Sequence, residues 1–63
     1  MRNCIAKILE QQKKTQGQLA RDIETDVTYI NSIINEQTDI RLSTAFKIAK
    51  ALNKKIEDIW KED

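Results

Sequence analysis

Few side chains of this 63-residue sequence can make or break covalent bonds or hold a metal ion. Histidine, the commonest general base and metal ligand, does not occur in the sequence. Cys4 is the single cysteine, so the chain can form neither an internal disulfide nor a cysteine zinc site. Because no nucleophile is paired with a base and no metal ligands cluster, the sequence excludes the usual enzyme classes, and we expect no cofactor and no catalytic residue.

The remaining chemistry is that of charge and hydrogen bonding. Eleven basic and ten acidic residues leave a net charge of +1, which excludes a histone-like polycation but allows a small basic face. No apolar run approaches the ~20 residues that cross a bilayer. The first segment is interrupted by Lys7 and Glu10 and lacks the cleavage site of a signal peptide. We therefore expect a cytoplasmic protein without a membrane partner.

The spacing of apolar residues predicts short helices throughout the chain. Apolar side chains recur three and four residues apart, which places them on one face of a helix and predicts an all-α protein. The predicted helices cover about residues 2–12, 16–23, 27–34, 43–52 and 56–61. The apolar residues of the fourth predicted helix are Ala45, Phe46, Ile48, Ala49 and Leu52. Five helices with short connections predict one compact domain over residues 1–63.

Polar residues mark where these helices begin and end. Thr15 is suited to be a helix N-cap, with Gln18 three residues later as the second member of a capping box. Asp26 is suited to cap the third helix, and this is its first expected role. Asn35 and Asn53 follow the third and fourth helices, where a left-handed backbone conformation commonly ends a helix.

The second and third predicted helices are separated by residues 24–26 alone. Two helices joined by so short a turn do not lie antiparallel. They cross at a steep angle, and the outer face of the helix at 27–34 projects from the molecule. This arrangement is a helix-turn-helix motif, and it covers about residues 15–34.

Four segments of the sequence match one family in order and spacing. They read T-Q-x-Q-L-A at 15–20, T-D-V-T-Y-I-N-S-I at 25–33, L-S-T-A-F-K-I-A-K-A-L-N at 42–53 and I-E-D-I-W at 56–60. In these segments the sequence resembles the Cro and phage-repressor type of helix-turn-helix regulator, also called the XRE or lambda-repressor-like family. The resemblance covers almost the whole chain without gaps and implies a compact five-helix DNA-binding domain.

The resemblance implies that helix 27–34 reads bases in the major groove of double-stranded DNA. Asn31 is suited to adenine, with which an amide makes a bidentate contact, and Val27 or Thr28 to the methyl group of thymine. Gln16 is expected on a phosphate beside the N-terminus of the second helix. The predicted DNA-binding set is Lys13, Lys14, Gln16, Asp26, Val27, Thr28, Tyr29, Asn31, Ser32, Asn35, Gln37, Thr38 and Arg41. The alternative is that these polar groups form only a solvated surface.

Few cations accompany this polar face. About three to five lysines and arginines per chain are suited to phosphate contacts, which makes a monomer a weak DNA binder. Relatives often dimerise through the fifth helix and the chain end, which implies a homodimer with an interface at Ile56, Ile59 and Trp60. The two recognition helices would then read the half-sites of a palindromic operator ~34 Å apart. Trp60 is alternatively a plug of the hydrophobic core, and the two roles are compatible.

The sequence departs from the family pattern in several positions. Glu24 and Glu36 replace glycines of the turn and of the recognition helix end, and residues 26–36 contain no lysine or arginine. Relatives commonly pair an arginine and a glutamate where this sequence has Leu9 and Ile34. Such an ion pair is replaced by hydrocarbon at little cost only when both partners change, so we expect these two side chains to touch.

Two functions fit the sequence. The first is a sequence-specific, double-stranded-DNA-binding transcriptional regulator that acts as a homodimeric repressor. The second is a protein-interaction module that keeps the fold but has weak or no DNA binding, which predicts an exposed apolar patch around Val27, Tyr29 and Ile40. An antitoxin-like protein combines the two functions, with a toxin or an antirepressor as its protein partner.

Overall fold

The computed structural model describes residues 2–61, and residues 1, 62 and 63 of the predicted domain lie outside this range. The five predicted helices are present as α1 (Ile5–Gln12), α2 (Gln16–Asp22), α3 (Val27–Ile34), α4 (Leu42–Leu52) and α5 (Ile56–Ile59). Two short strands, β1 (Arg2–Asn3) and β2 (Trp60–Lys61), complete the described chain. No helix among residues 2–61 is long and apolar enough to span a bilayer.

The two ends of the described chain are joined by a β pairing that the helical pattern does not predict. β1 and β2 are antiparallel, with Arg2 opposite Lys61. The Cys4 N–H donates to the carbonyl of Ile59 at 2.8 Å and continues the pairing. The first and last predicted helices are therefore too long at their outer ends. Backbone groups beyond a helix end need partners, and each chain end supplies them to the other.

The core is built from one face of each helix. Its buried side chains are Ile5, Ile8, Leu9, Leu19, Ala20, Ile23, Ile30, Ile33, Ala45, Ile48, Ala49, Leu52, Ile59 and Trp60. Phe46, one of the apolar residues of the fourth predicted helix, is 58% exposed and lies outside the buried face of α4. Successive residues of a helix are about 100° apart, and the stripe through Ala45, Ile48 and Leu52 leaves Phe46 outside. Trp60 is buried, which confirms the prediction that it is part of the hydrophobic core.

The apolar pair Leu9 and Ile34 lies at this core. Leu9 is buried, and Ile34 is half-buried and packs against the core cluster. That the two side chains touch each other stays a prediction. A single charged residue in this environment would be left without a partner, which explains why both positions are apolar.

Four described residues other than glycine adopt the left-handed conformation. Lys13 and Asn53, with φ of 56° and 57°, follow α1 and α4, which confirms the prediction for Asn53. After α3 the prediction is wrong by one residue, because Asn35 has a φ of −85° and Glu36 has a φ of 58°. Glu24, in the turn between α2 and α3, has a φ of 59°. Both glutamates that replace family glycines thus adopt a conformation that only glycine accepts without strain.

Replacing Glu24 by glycine is expected to stabilise the fold. The left-handed conformation costs a residue with a Cβ about 1–2 kcal/mol, and the greater freedom of unfolded glycine offsets about 0.5–1 kcal/mol of that relief. The net gain of up to about 1 kcal/mol corresponds to a Tm rise of about 4–8 °C, measured by thermal unfolding. Asn53→Gly is the matched control with a smaller expected gain, because asparagine tolerates this conformation. A lower Tm for E24G would show that the glutamate is not strained.

Candidate nucleic-acid interface

Side-chain caps fix where α2 and α3 begin. The Gln18 N–H donates to Thr15 Oγ1 at 3.1 Å, and the Thr15 N–H donates to Gln18 Oε1 at 2.8 Å, which confirms the capping box. The Tyr29 N–H donates to Asp26 Oδ1 at 2.8 Å, which confirms Asp26 as the N-cap of α3. Each cap satisfies a backbone donor that the first helical turn would leave without a partner. The two helices therefore start at fixed points on either side of the turn.

The outer face of α3 presents groups that match the chemistry of base edges. Val27, Thr28 and Asn31 are exposed, Val27 to 48%. Tyr29 and Ser32 are half-buried. A methyl-bearing side chain suits the methyl group of thymine, and hydroxyl and amide groups suit the donors and acceptors of the major groove. The residues predicted to read bases thus lie on or at the edge of one exposed helix face.

Three amide side chains form a hydrogen-bonded row, here called the amide row, which consists of Gln16, Asn31 and Asn35. Asn31 Nδ2 donates to Gln16 Oε1 at 3.4 Å. Asn35 Nδ2 donates to Asn31 Oδ1 at 3.0 Å. The row connects the first turn of α2, the middle of α3 and the residue after α3. All three are predicted DNA-binding residues, and the structure brings them together.

The loop after α3 contains two further predicted residues, Gln37 and Thr38, after Asn35 of the amide row. Asn35, Gln37 and Thr38 are exposed. The backbone of the loop folds back onto the last turn of α3, where the Gln37 N–H donates to the Ser32 carbonyl at 2.9 Å. The loop side chains are therefore held next to the C-terminal end of the predicted recognition helix.

The predicted phosphate-binding cations differ in their surroundings. Lys14 is half-buried, and its Nζ lies 2.9 Å from Asp22 Oδ2 and donates to the Ala51 carbonyl at 3.4 Å. Lys13 is exposed at the end of α1, and Arg41 is exposed just before α4. A neighbouring carboxylate therefore already compensates the charge of Lys14, whereas Lys13 and Arg41 are more accessible to an anion.

A family model described as Helix-turn-helix matches residues 5–59, a span that includes all five helices. The chain belongs to this helix-turn-helix family, of the XRE or Cro and phage-repressor type. A comparison with curated proteins finds no match. Because it belongs to this family, the protein is a DNA-binding regulator of transcription with a lambda-repressor-like fold. The family is non-enzymatic. Among residues 2–61, no three His, Cys, Asp or Glu side chains form a group suited to a metal ion.

Asn3 holds the C-terminal end of α3 by hydrogen bonds that the sequence does not predict. Its Nδ2 donates to the carbonyls of Ile33 at 3.1 Å and Ile34 at 3.3 Å. Its backbone N–H donates to Glu36 Oε2 at 3.2 Å. The last carbonyls of a helix lack partners within the helix, so a side-chain donor here stabilises its end. The hydrogen bonds join residues 30 to 33 positions apart, a separation at which local sequence patterns give no signal.

Replacing Asn3 by alanine is expected to lower the free energy of unfolding by about 1 kcal/mol, the net value of a typical hydrogen bond. Asn3→Asp is expected to destabilise the fold further, because it sets a carboxylate against Glu36 and against the negative end of α3. Urea unfolding measures both effects. Gln11→Ala, which removes an exposed amide from α1, is the matched control with little expected change. Equal stability of N3A and N3D would contradict this role of Asn3.

An exposed groove is lined by apolar side chains, of which Ile56 and Trp60 belong to the predicted dimer interface whereas Ile40, Leu42 and Phe46 do not. Leu42 and Phe46 are 69% and 58% exposed, and the groove continues over Ile40 and Ile56 with three lysines among its lining residues. Leu42 and Phe46 lie four residues apart on α4, a spacing that places them on one face. This four-residue spacing is the sequence pattern from which the exposed apolar face could have been predicted.

The predicted interface residues differ in accessibility. Ile59 is fully buried and Trp60 is buried, whereas Ile56 is half-buried. Ile59 therefore offers no accessible surface to a partner, whereas Ile56 and Trp60 line the groove.

Proposed function

We propose that this helix-turn-helix protein is a homodimeric transcriptional repressor that reads a palindromic operator with α3 in the major groove. The observation that carries the proposal is that Val27, Thr28 and Asn31 are exposed on α3. The start of this helix is fixed by the Asp26 cap. A methyl-bearing, a hydroxyl and an amide side chain together distinguish base pairs by thymine methyl contact and by hydrogen bonding. Repression follows where the operator overlaps a promoter.

The remaining predicted residues are proposed to contact the DNA backbone or the edge of the groove. Gln16, at the start of α2, and the exposed Lys13 and Arg41 are assigned to phosphates. Asp26 has one carboxylate oxygen in its cap and a second oxygen that is suited to the exocyclic amine of cytosine. The same carboxylate repels phosphate, so it favours selectivity over affinity.

We propose that the dimer forms through the groove over Leu42, Phe46 and Ile56. These side chains are apolar and accessible, and the core of a protein–protein interface is rich in such surface. Lys50, Lys54, Lys55 and Glu57 also line the groove, so charges of both signs are available at the rim. Ile59 is fully buried, so of the predicted interface residues only Ile56 and Trp60 line this groove. A dimer doubles the number of phosphate contacts and presents two copies of α3.

Selection of duplex DNA from a random library, at low and at near-physiological salt, tests the proposal. An enriched palindrome with half-sites about ten base pairs apart is the expected result for a dimer of this geometry. Retention that depends on salt but enriches no sequence would reduce the function to backbone binding. Absence of retention at either salt would overturn the proposal.

Protein interaction is the second candidate function, and two observations favour it. Residues 26–36 carry no lysine or arginine. The residues of the predicted apolar patch are partly accessible, since Val27 is exposed while Tyr29 and Ile40 are half-buried. Under this alternative, a protein partner such as a toxin or an antirepressor binds the chain, and an antitoxin uses both surfaces. Absence of DNA retention in the selection favours this candidate.

A further inference from the structure

We infer that the groove over Leu42, Phe46 and Ile56 also binds an acidic amphipathic helix of another protein, and that this helix displaces the second copy of the chain. The inference rests on the homodimer proposed above, because the two occupants compete for one groove. It adds the chemistry of a regulatory partner to that proposal. Since the dimer is what presents two copies of α3, such a partner relieves repression without touching the DNA-reading face.

A surface rich in lysine adjoins the groove. The groove and two neighbouring clefts all include Lys54 in their lining. The lysines that line these three features are here called the lysine patch, which consists of Lys7, Lys50, Lys54, Lys55 and Lys61. All five are exposed. The apolar surface of the groove is therefore continuous with a surface that attracts carboxylates.

The charge of the chain is concentrated on this side of the molecule. Of the described residues, only Glu57 and Asp58 place carboxylates among the five lysines. Five lysines and two carboxylates give a net charge of +3, whereas the whole chain carries +1. Asp58 turns one of its oxygens toward the Lys55 N–H at 3.4 Å, at the start of α5. No residue of α3 lines the groove or the two clefts, so this positive surface is separate from the proposed base-reading face.

A second copy of the chain matches the groove by its apolar side chains but not by its charge. A twofold interface brings the same surface of two chains together. The charged residues that line the groove itself are Lys50, Lys54, Lys55 and Glu57, a net charge of +2 from each copy. Like charges oppose association, most strongly at low salt. The dimer is therefore weaker than its apolar surface alone would make it, and a partner of opposite charge can compete with it.

An acidic amphipathic helix matches both the apolar surface and the charge. Leu42 and Phe46 lie about one helical turn apart on α4, and a partner helix lays side chains spaced three or four residues apart into a groove of this kind. Carboxylates on its flanks then meet the lysine patch, where a second copy would set lysine against lysine. DNA matches the lysines but leaves the apolar side chains uncovered, so the groove favours a protein segment.

A display library of random peptides of about 15 residues, a length at which an isolated helix is marginally stable in water, tests the inference with the full chain as bait. Enriched peptides are expected to carry net negative charge and to place leucine or phenylalanine three and four residues apart. Sedimentation equilibrium with the most enriched peptide is expected to show one chain bound to one peptide. The peptide should also weaken binding to a duplex with two half-sites but not to a duplex with one.

Lys54→Glu distinguishes the two occupants of the groove. It is expected to lower the affinity for the enriched peptide by about 2- to 30-fold, since one surface ion pair is lost and one repulsion is gained. The same change brings the net charge lining the groove to zero, so it is expected to tighten the dimer. Partial unfolding would weaken both interactions. Lys47→Glu, at an exposed position of α4 outside the groove and the two clefts, is the matched control and should change neither.

Several outcomes overturn the inference while the proposed repressor stands, because operator selection and the mass of the free chain test the repressor without a peptide. They are enrichment of no peptide or of peptides without negative charge, equal effects of Lys54→Glu and Lys47→Glu, and a peptide that binds without reducing the mass of the dimer. Displacement of the peptide by a duplex without the operator would assign the lysine patch to nucleic acid instead. A free chain that stays monomeric would overturn both the dimer and its displacement.

Discussion

Raising the salt concentration from about 50 to about 200 mM is expected to lower the affinity for the operator by about 10³- to 10⁵-fold. Each cation that binds a phosphate releases condensed counterions, so log K falls with log salt in proportion to the number of contacts. About three to five cations per chain give about six to ten contacts in the proposed dimer. The candidate cations are Lys13, Lys14, Arg21, Arg41 and Lys47. Fluorescence anisotropy of a labelled operator duplex over a salt series measures the slope.

Single alanine variants show which cations contribute to that slope. Lys13→Ala is expected to lower it by about one per chain. Lys14→Ala is expected to lower it by less, because its ammonium lies 2.9 Å from Asp22 and is partly compensated before DNA binds. Lys7→Ala removes an exposed cation from α1, outside the proposed interface, and is the control for net charge. A wild-type slope near zero, or an equal fall for Lys7→Ala and Lys13→Ala, would contradict backbone binding by this face.

The fold was predictable where local patterns determine it. The spacing of apolar residues sets the inward face of each helix, and side-chain oxygens at Thr15 and Asp26 set where α2 and α3 begin. The pairing of β1 with β2 was not predictable, because two residues per strand carry no periodicity and their partners lie at the opposite end of the chain. The left-handed residue after α3 is Glu36 rather than the predicted Asn35. The end of α3 is set partly by hydrogen bonds from Asn3, which is distant in sequence.

The types of residue in the candidate site could be predicted from the sequence, but the hydrogen bonds and ion pairs between them could not. The outer face of α3 follows from the helical period once its inner face is known. The hydrogen bonds of the amide row, and the compensation of Lys14 by Asp22, depend on how α1, α2 and α3 pack. The exposure of Phe46 was not predicted, because apolar spacing along α4 does not distinguish the buried stripe from an apolar residue beside it. A family resemblance gives positions, whereas surface chemistry specific to this chain requires the packed structure.

Phe46→Asp is expected to convert the proposed dimer into a monomer and to lower the affinity for a duplex with two half-sites by about 10²- to 10⁴-fold. That factor is the usual gain when a second linked site binds without new contacts. Phe46 is 58% exposed and lies beside Leu42, so the substitution places a charge on apolar surface that two copies would bury. The fold is expected to lose little stability, because the side chain is outside the core. Sedimentation equilibrium measures the mass, and anisotropy measures the affinity.

The comparison of two duplexes makes this result specific to dimerisation. Phe46→Asp should bind a duplex with a single half-site as tightly as the wild-type chain does, since α3 is unchanged. Gln11→Asp adds the same charge to an exposed position of α1 and should affect neither mass nor affinity. An F46D chain that remains dimeric would move the interface away from α4. A wild-type chain that binds one and two half-sites equally well would show that α3, without a lysine or arginine of its own, holds DNA as a monomer.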